Sequence, residues 1–221
     1  MAGTDKNINI VIPTQSANFR AAEAYKTLRS NIQFCGADNK VILLTSSIPN
    51  EGKTTVSIML AAAFAEMGKK VLLIDADLRK SVLMKKLQIN VKRLRGLSHY
   101  LSGQQELSDV IYVTNVPNLH LVLTGPVPPN PAELLGSELM GRTLEALRKV
   151  YDYILIDTPP LGSVIDSAVL AQYCDGAVLV IDADTVSYRL AQKVKDQLEK
   201  SGCRILGAVL NKAPVDKKSL T

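Results

Sequence analysis

No apolar run in this chain approaches the roughly 18 residues that a membrane-spanning helix needs. The longest, such as Val41–Leu44 and Ala177–Ile181, have the length of buried strands. The first residues, Met1–Asn9, are polar and lack the apolar centre of a secretory signal. Cysteine is scarce: Cys35, Cys174 and Cys203 are odd in number, far apart and never in a CxxC pair. That pattern argues against a disulfide framework or a structural zinc site. It points to a reducing compartment, with all three cysteines as small core residues. His99 and His120 are too isolated for a catalytic role.

What is present describes a globular chain. Hydrophobic residues make up 47% of the 221 and charged residues 21%, which is too apolar for a disordered segment. The length suits a single domain over residues 1–221, and no linker or internal repeat divides it. The net charge of +5 is unevenly spread. Arg79, Lys80, Lys85, Lys86, Lys92, Arg93 and Arg95 follow one another with no acid among them. The run is either a solvated connection or an electropositive rim able to attract an acidic peptide, a phosphate or an anionic membrane surface. Aromatic residues do not interleave with these charges, so a nucleic-acid groove is not indicated.

Apolar strand-length runs alternate with helix-length amphipathic stretches. Strands are expected at 40–45, 70–75, 119–124, 153–157, 177–182 and 204–211. Helices are expected at 17–34, 52–67, 138–150, 166–173 and 187–201, with residues 79–118 irregular apart from a short helix near 96–101. Prolines exclude regular structure from Gly125 to Asn130, and Asn130-Pro131 reads as the N-cap and first residue of a further helix. The alternation predicts an α/β fold: a mostly parallel sheet with helices on both faces. Ligands of such sheets sit at the carboxyl ends of the strands.

Two kinds of motif fall there. Ser46-Ser47-Ile48-Pro49-Asn50-Glu51-Gly52-Lys53-Thr54-Thr55 lies between a strand and an Ala-rich helix. Gly52 allows close approach of the backbone to phosphate oxygens, and the helix that starts there aims N–H groups at an anion. Lys53 reaches the phosphates, Thr54 is placed to bind Mg²⁺, and Glu51 and Thr55 complete the cofactor-binding stretch, with Thr55 also suited to capping or packing. The pattern G-x-x-x-x-G-K-[ST] fails at one place, where Ser47 replaces the first glycine. The other motif is carboxylate at strand ends: Ile74-Asp75-Ala76-Asp77-Leu78-Arg79 and Ile156-Asp157-Thr158-Pro159-Pro160. If the strand continues, alternation puts Asp75 and Asp77 on one face. Asp157 and one of that pair can hold a metal-bound water while the other accepts a proton. Arg79 pairs with one of these acids or touches phosphate. Asn211-Lys212 ends the last strand, but Pro214 stands where guanine recognition by N-K-x-D needs an aspartate. An adenine read by the Asn211 amide is therefore expected, and ATP with Mg²⁺ is the expected ligand pair.

The phosphate loop, the Asp75-x-Asp77-x-Arg79 strand and the Asp157-Thr-Pro-Pro strand resemble those of the bacterial tyrosine kinases, cytoplasmic enzymes of capsule and exopolysaccharide systems within the MinD/ParA-like P-loop group. The likeness spans nearly the whole chain, including Glu23–Asn31, Gly125–Leu135 and Leu210-Asn211-Lys212. It implies ATP-dependent phosphorylation of protein tyrosine, with Lys53 and Thr54 on phosphate and Mg²⁺, Asp77 and Asp157 on metal waters, and Asp75 as the proton acceptor. It also implies activation by the cytoplasmic end of a membrane protein, which recruits the kinase to the inner face of the membrane. A ring of subunits would meet through Glu23, Lys26 and Arg29. Family members commonly carry Arg at the position of Lys26, and Lys lacks the bidentate fork. The terminal Asp216–Thr221 stops about where a tyrosine cluster is expected, so either such a tail has been removed or other proteins are the substrates. Two other classes compete. One is a MinD/ParA-type ATPase switch, which usually carries an earlier loop lysine that is absent from Ser46–Asn50. The other is a structural partner of a polysaccharide exporter.

Overall fold

A computed structural model describes residues 10–13, 19–90 and 94–213. Ala17, Lys92, Arg93, Pro214 and the terminal 216–221 stretch, on which some expectations fall, lie outside the described residues, as do residues 1–9.

The elements run α1 (Phe19–Phe34), β1 (Val41–Ser46), α2 (Lys53–Ala65), β2 (Val71–Asp75), α3 (Leu83–Lys86), α4 (Leu97–Leu101), α5 (Leu107–Val110), β3 (Ile111–Val113) and β4 (Leu119–Val122). They continue with α6 (Pro131–Leu135), α7 (Glu138–Leu147), β5 (Tyr153–Asp157), α8 (Asp166–Ala171), β6 (Gly176–Asp182), α9 (Tyr188–Lys200) and β7 (Ile205–Asn211). The seven strands form one sheet in the order β3-β4-β2-β5-β1-β6-β7. Every neighbouring pair is parallel except β3 with β4.

Strand alternation sorts the core into two layers. Leu43, Leu72, Ile154, Ile156 and Leu179 face one side, where α4, α6, α7, α8 and α9 add residues such as Leu97, Leu135, Leu144, Leu170 and Leu198. Ile42, Leu44, Leu73, Leu155 and Val180 face the other, where they meet Ile32 of α1, Phe64 of α2 and Leu83 of α3. The central strands are covered on both faces, which is why they open on the unbroken apolar runs Val41–Leu44 and Val71–Ile74; all six residues of β1 and all five of β2 are buried. β7, at the sheet edge, is only partly covered.

Segment 79–118 is more regular than expected, since it holds α3, α5 and the antiparallel strand β3 besides the expected α4. These pieces are three or four residues long, too short to print a period in the sequence. β3 exists because Ile111–Val113 pairs with Val122–His120 of β4, and beyond it Ile10 bridges to Thr114. The residues before α6 are irregular as the prolines demand. The Asn130 side chain is turned onto Glu133 Oε2 at 2.7 Å and does not cap the helix.

Candidate active site

β1 runs into the phosphate loop and the loop into α2. The turn is made at Gly52, whose φ of 88° lies in the left-handed region. A Cβ there would meet Asn211 Nδ2 at 2.1 Å, so glycine is required by the neighbour as well as by the backbone. The loop is braced from beneath. Glu51 is buried, and its carboxylate accepts from the Ile48 N–H at 2.7 Å and from the Asp182 N–H at 3.0 Å. From the β7 end, Asn211 Nδ2 donates to the Glu51 carbonyl at 2.8 Å. Lys212 Nζ donates to the Asn50 carbonyl at 2.7 Å and to Asp182 Oδ2 at 2.6 Å. The Lys212 hydrogen bond is the main reason Asp182 is held below the usual carboxylate range. The Asn211 amide, read from sequence as a base contact, is thus engaged by the loop itself.

Three donors converge on one buried carboxylate. Asp157 receives Lys53 Nζ at 2.7 Å, Thr54 Oγ1 at 2.7 Å and Ser57 Oγ at 2.8 Å. Asp157 lies directly opposite Asp75 in the β2–β5 register. Asp75 is fully buried and accepts from the Ser81 hydroxyl and, at 3.3 Å, from the Asp77 N–H. Burial above all, and then the charge of Asp157, push Asp75 up to about 8. β2 ends at Asp75, so the expected continuation of strand alternation to Asp77 does not occur. Asp77 is half-buried and accepts from the Lys80 N–H at 3.0 Å. Arg79 bonds none of these acids. Its Nε and one terminal nitrogen grip Asp166 at 2.7 and 3.0 Å, at the start of α8.

A cavity of about 480 Å³ opens over this arrangement. Glu51, Gly52, Lys53, Thr54, Thr55, Asp77 and Asn211 all line it. Asp75 and Asp157, both buried, are not in its wall. The far side is closed by the Pro159–Val164 loop, which approaches the phosphate loop so closely that a Cβ on Gly162 would lie 2.1 Å from the Ser47 carbonyl oxygen. Most of the expected site residues therefore come together. Glu23, Lys26 and Arg29 do not: they sit on α1, away from the cavity. Glu23 and Lys26 form an exposed pair at 2.7 Å, while Arg29 reaches inward to the Ala63 carbonyl of α2 at 2.9 Å.

Sequence reading passed over Ser57, Ser81, Asp166 and Asp182. Asp182 carries the same mark as Asp75 and Asp157, an acid closing an apolar strand, and could have been found by it. The other three are known only from the contacts they make.

The AAA domain family matches residues 39–205. The tyrosine-protein kinase CpsD of Streptococcus agalactiae is 45% identical over 193 residues, which cover 87% of this chain and 84% of that protein. The tyrosine-protein kinase YwqD of Bacillus subtilis is 36% identical over 98% of this chain and 91% of its own length. Among solved structures, the kinase domain of the Escherichia coli tyrosine kinase ETK superposes with a TM-score of 0.83 at 32% identity, covering 97% of this chain and 87% of that one. MinD from Pyrococcus horikoshii, solved with Mg-ADP, gives 0.68 at 30% identity over 80% of this chain and 72% of its own. A nucleotide-binding P-loop fold is common to both groups, and by sequence this chain belongs to the AAA domain family and to the bacterial tyrosine-protein kinases that these relatives represent.

Proposed function

We propose that this chain is an ATP-dependent protein-tyrosine kinase that regulates capsule or exopolysaccharide synthesis. The observation that carries the reading is the convergence of Lys53 and Thr54 on Asp157 with a second carboxyl, Asp75, alongside. Phosphoryl transfer needs positioning and charge neutralisation more than covalent chemistry, and a loop of amides with one buried ammonium supplies both.

The residues fit ATP and Mg²⁺. Gly52 lines the cavity at the start of α2, and Lys53 is held within the cavity wall by Asp157, ready to exchange that partner for the β- and γ-phosphates. Thr54, Asp77 and Asp157 would hold the cation, either directly or through its waters. When bound, Mg²⁺ neutralises charge on the transferring group. The tyrosine oxygen would form its bond to the γ-phosphorus as the bond to the ADP oxygen breaks, and the phenolic proton would pass to Asp75 once the acceptor hydroxyl takes the place that Ser81 holds on this buried carboxyl. Raised to about 8, the Asp75 carboxyl is largely protonated at neutral pH in the nucleotide-free site, and its ionised fraction is a stronger base than an ordinary carboxylate. The Ser81 hydroxyl already makes the contact with Asp75 that an acceptor hydroxyl would make. Asn211 and Lys212 border the end of the cavity assigned to adenine.

The chain acts at the inner face of the membrane, recruited and switched on by the cytoplasmic end of a membrane protein, and assembles as a homo-oligomer. Glu23 and Lys26 are exposed as an interface requires, and Arg29 carries a buried Nε without a partner among the described residues. No helix among the described residues is long and apolar enough to cross a membrane. The MinD-type switch is the weaker reading, because the loop Ser46–Asn50 has no lysine to reach across a dimer.

Incubation with labelled ATP, Mg²⁺, the activator's cytoplasmic segment and a tyrosine peptide should yield phosphotyrosine. Release of free phosphate alone would support the switch, and bound, unreacted ATP would support a scaffold.

A further inference from the structure

The two ends of the cavity differ in what they leave free. Strand order puts β7, with Asn211 and Lys212, at one end and β2, with the segment after it, at the other, the phosphate loop lying between. At the β7 end the polar groups are committed: Asn211 to the Glu51 carbonyl, and Lys212 to Asp182 and the Asn50 carbonyl. At the β2 end Arg79 is committed to Asp166. Lys80 and Lys86 are exposed, line the cavity and make no ion pair among the described residues. Exposed Lys85 stands next to Lys86, and no acid occurs from Leu78 to Arg95; the carboxylate that shares this lining, Asp77, accepts from the Lys80 N–H at 3.0 Å, and neither Lys80 nor Lys86 pairs with it through its ammonium group. The same end has apolar wall: Val82, 41% exposed, together with Pro160 and Val164 from the loop after β5. Apolar side chains that share a cavity lining with Asp77 and with two unpaired ammonium groups suit a phenol ring whose neighbours along the peptide are carboxylates.

We propose that Lys80 and Lys86 form a docking rim for acidic, tyrosine-containing segments, receiving carboxylates that flank the acceptor tyrosine while its ring lies against Val82, Pro160 and Val164. This deepens the kinase reading and rests on it. The nucleotide phosphates are assigned to the loop amides and Lys53, which leaves these lysines for another partner. A lipid surface is a poorer fit, since the two amines line a concavity and a bilayer is flat.

The test uses fluorescence polarisation with the full chain loaded with Mg²⁺ and a non-hydrolysable ATP analogue. The probes are labelled peptides with Phe in place of the acceptor Tyr, flanked by Glu or by Gln. Glu-flanked peptide should bind roughly three- to tenfold more tightly, as expected for two exposed charge pairs, and the preference should fade at high salt. The double variant Lys80→Gln/Lys86→Gln should remove the preference for the Glu-flanked peptide, with a smaller effect on analogue affinity than on binding of that peptide. Equal binding of Glu and Gln peptides by the parent overturns the proposal. So does a double variant that weakens the analogue and every peptide alike, or one that abolishes binding to phosphatidylserine vesicles where peptides are not discriminated. The corresponding Tyr peptides, run in a transfer assay, separate the two levels. Phosphotyrosine without Glu preference overturns the rim alone. Glu preference in binding without any transfer supports the rim and removes the kinase.

Discussion

Asp75 and Asp157 lie side by side at the ends of adjacent parallel strands, yet only Asp157 has a cation of its own. Lys53 compensates Asp157. Asp75 is left with a serine hydroxyl and one amide, and its proton is held far above the ordinary carboxylate range.

That asymmetry makes stability depend on pH. A carboxyl whose folded value is raised binds its proton more tightly in the native state. Its contribution is therefore complete below the unfolded value of 3.8 and is lost as pH rises through about 8. The nucleotide-free protein should unfold at lower urea concentration at pH 8.5 than at pH 6, with a slope from this group of at most about 1.4 kcal/mol per pH unit. Asp75→Asn should flatten the difference. A parent whose urea midpoint does not change between these pH values would contradict it.

Lys53→Met should lower phosphoryl transfer by roughly 10²–10³-fold or more, the scale for removing one group that stabilises transition-state charge. Circular dichroism should show the fold intact, since Thr54 and Ser57 still donate to Asp157. Unchanged transfer in this variant would refute the assignment of Lys53.

Gly52→Ala combines backbone strain, about 1–2 kcal/mol for a left-handed residue, with a collision against Asn211. Nucleotide affinity, measured by calorimetry, should fall sharply. Adding Asn211→Ala should recover part of the folding stability because the collision is gone. If the two substitutions add independently, the contact is not the cause.

Glu51→Ala leaves the Ile48 and Asp182 amides without their acceptor in a buried place, at about 1–3 kcal/mol each. Urea unfolding should show a loss of about 2–6 kcal/mol on that basis. Glu51→Gln keeps one acceptor oxygen and should lose about half as much.

Asp166→Asn weakens the bidentate grip on Arg79, which ties the segment after β2 to α8. Faster hydrogen exchange in residues 79–86 is the expected result, with little change in β1. Because the Arg79 side chain is 43% exposed, the loss of global stability should be small, about 1 kcal/mol.

Much of the fold is legible in the chain because buried parallel strands must be apolar throughout. Val41–Leu44, Val71–Ile74 and Ile154–Ile156 announce themselves, and the loop ending Gly52-Lys53-Thr54 follows the first of them. Strand-end aspartates are legible for the same reason: an acid that closes an apolar run has few places to go except the carboxyl edge of the sheet. Short elements are not legible. Ile111–Val113 becomes a strand only because β4 offers it an edge.

The chain by itself determined the α/β alternation, the phosphate loop and which residues gather at one edge of the sheet, since each follows from local pattern and covalent order. Partner choice was decided only in three dimensions. Arg79 binds Asp166, 87 residues away, rather than the acids beside it. The Asn211 amide closes on Glu51, and Asp75 rather than Asp157 is left without a lysine. The physical reason is that hydrogen bonds and charge compensation act over a few ångströms of space, whatever the separation along the chain, so strand order and register settle which donors reach which acids.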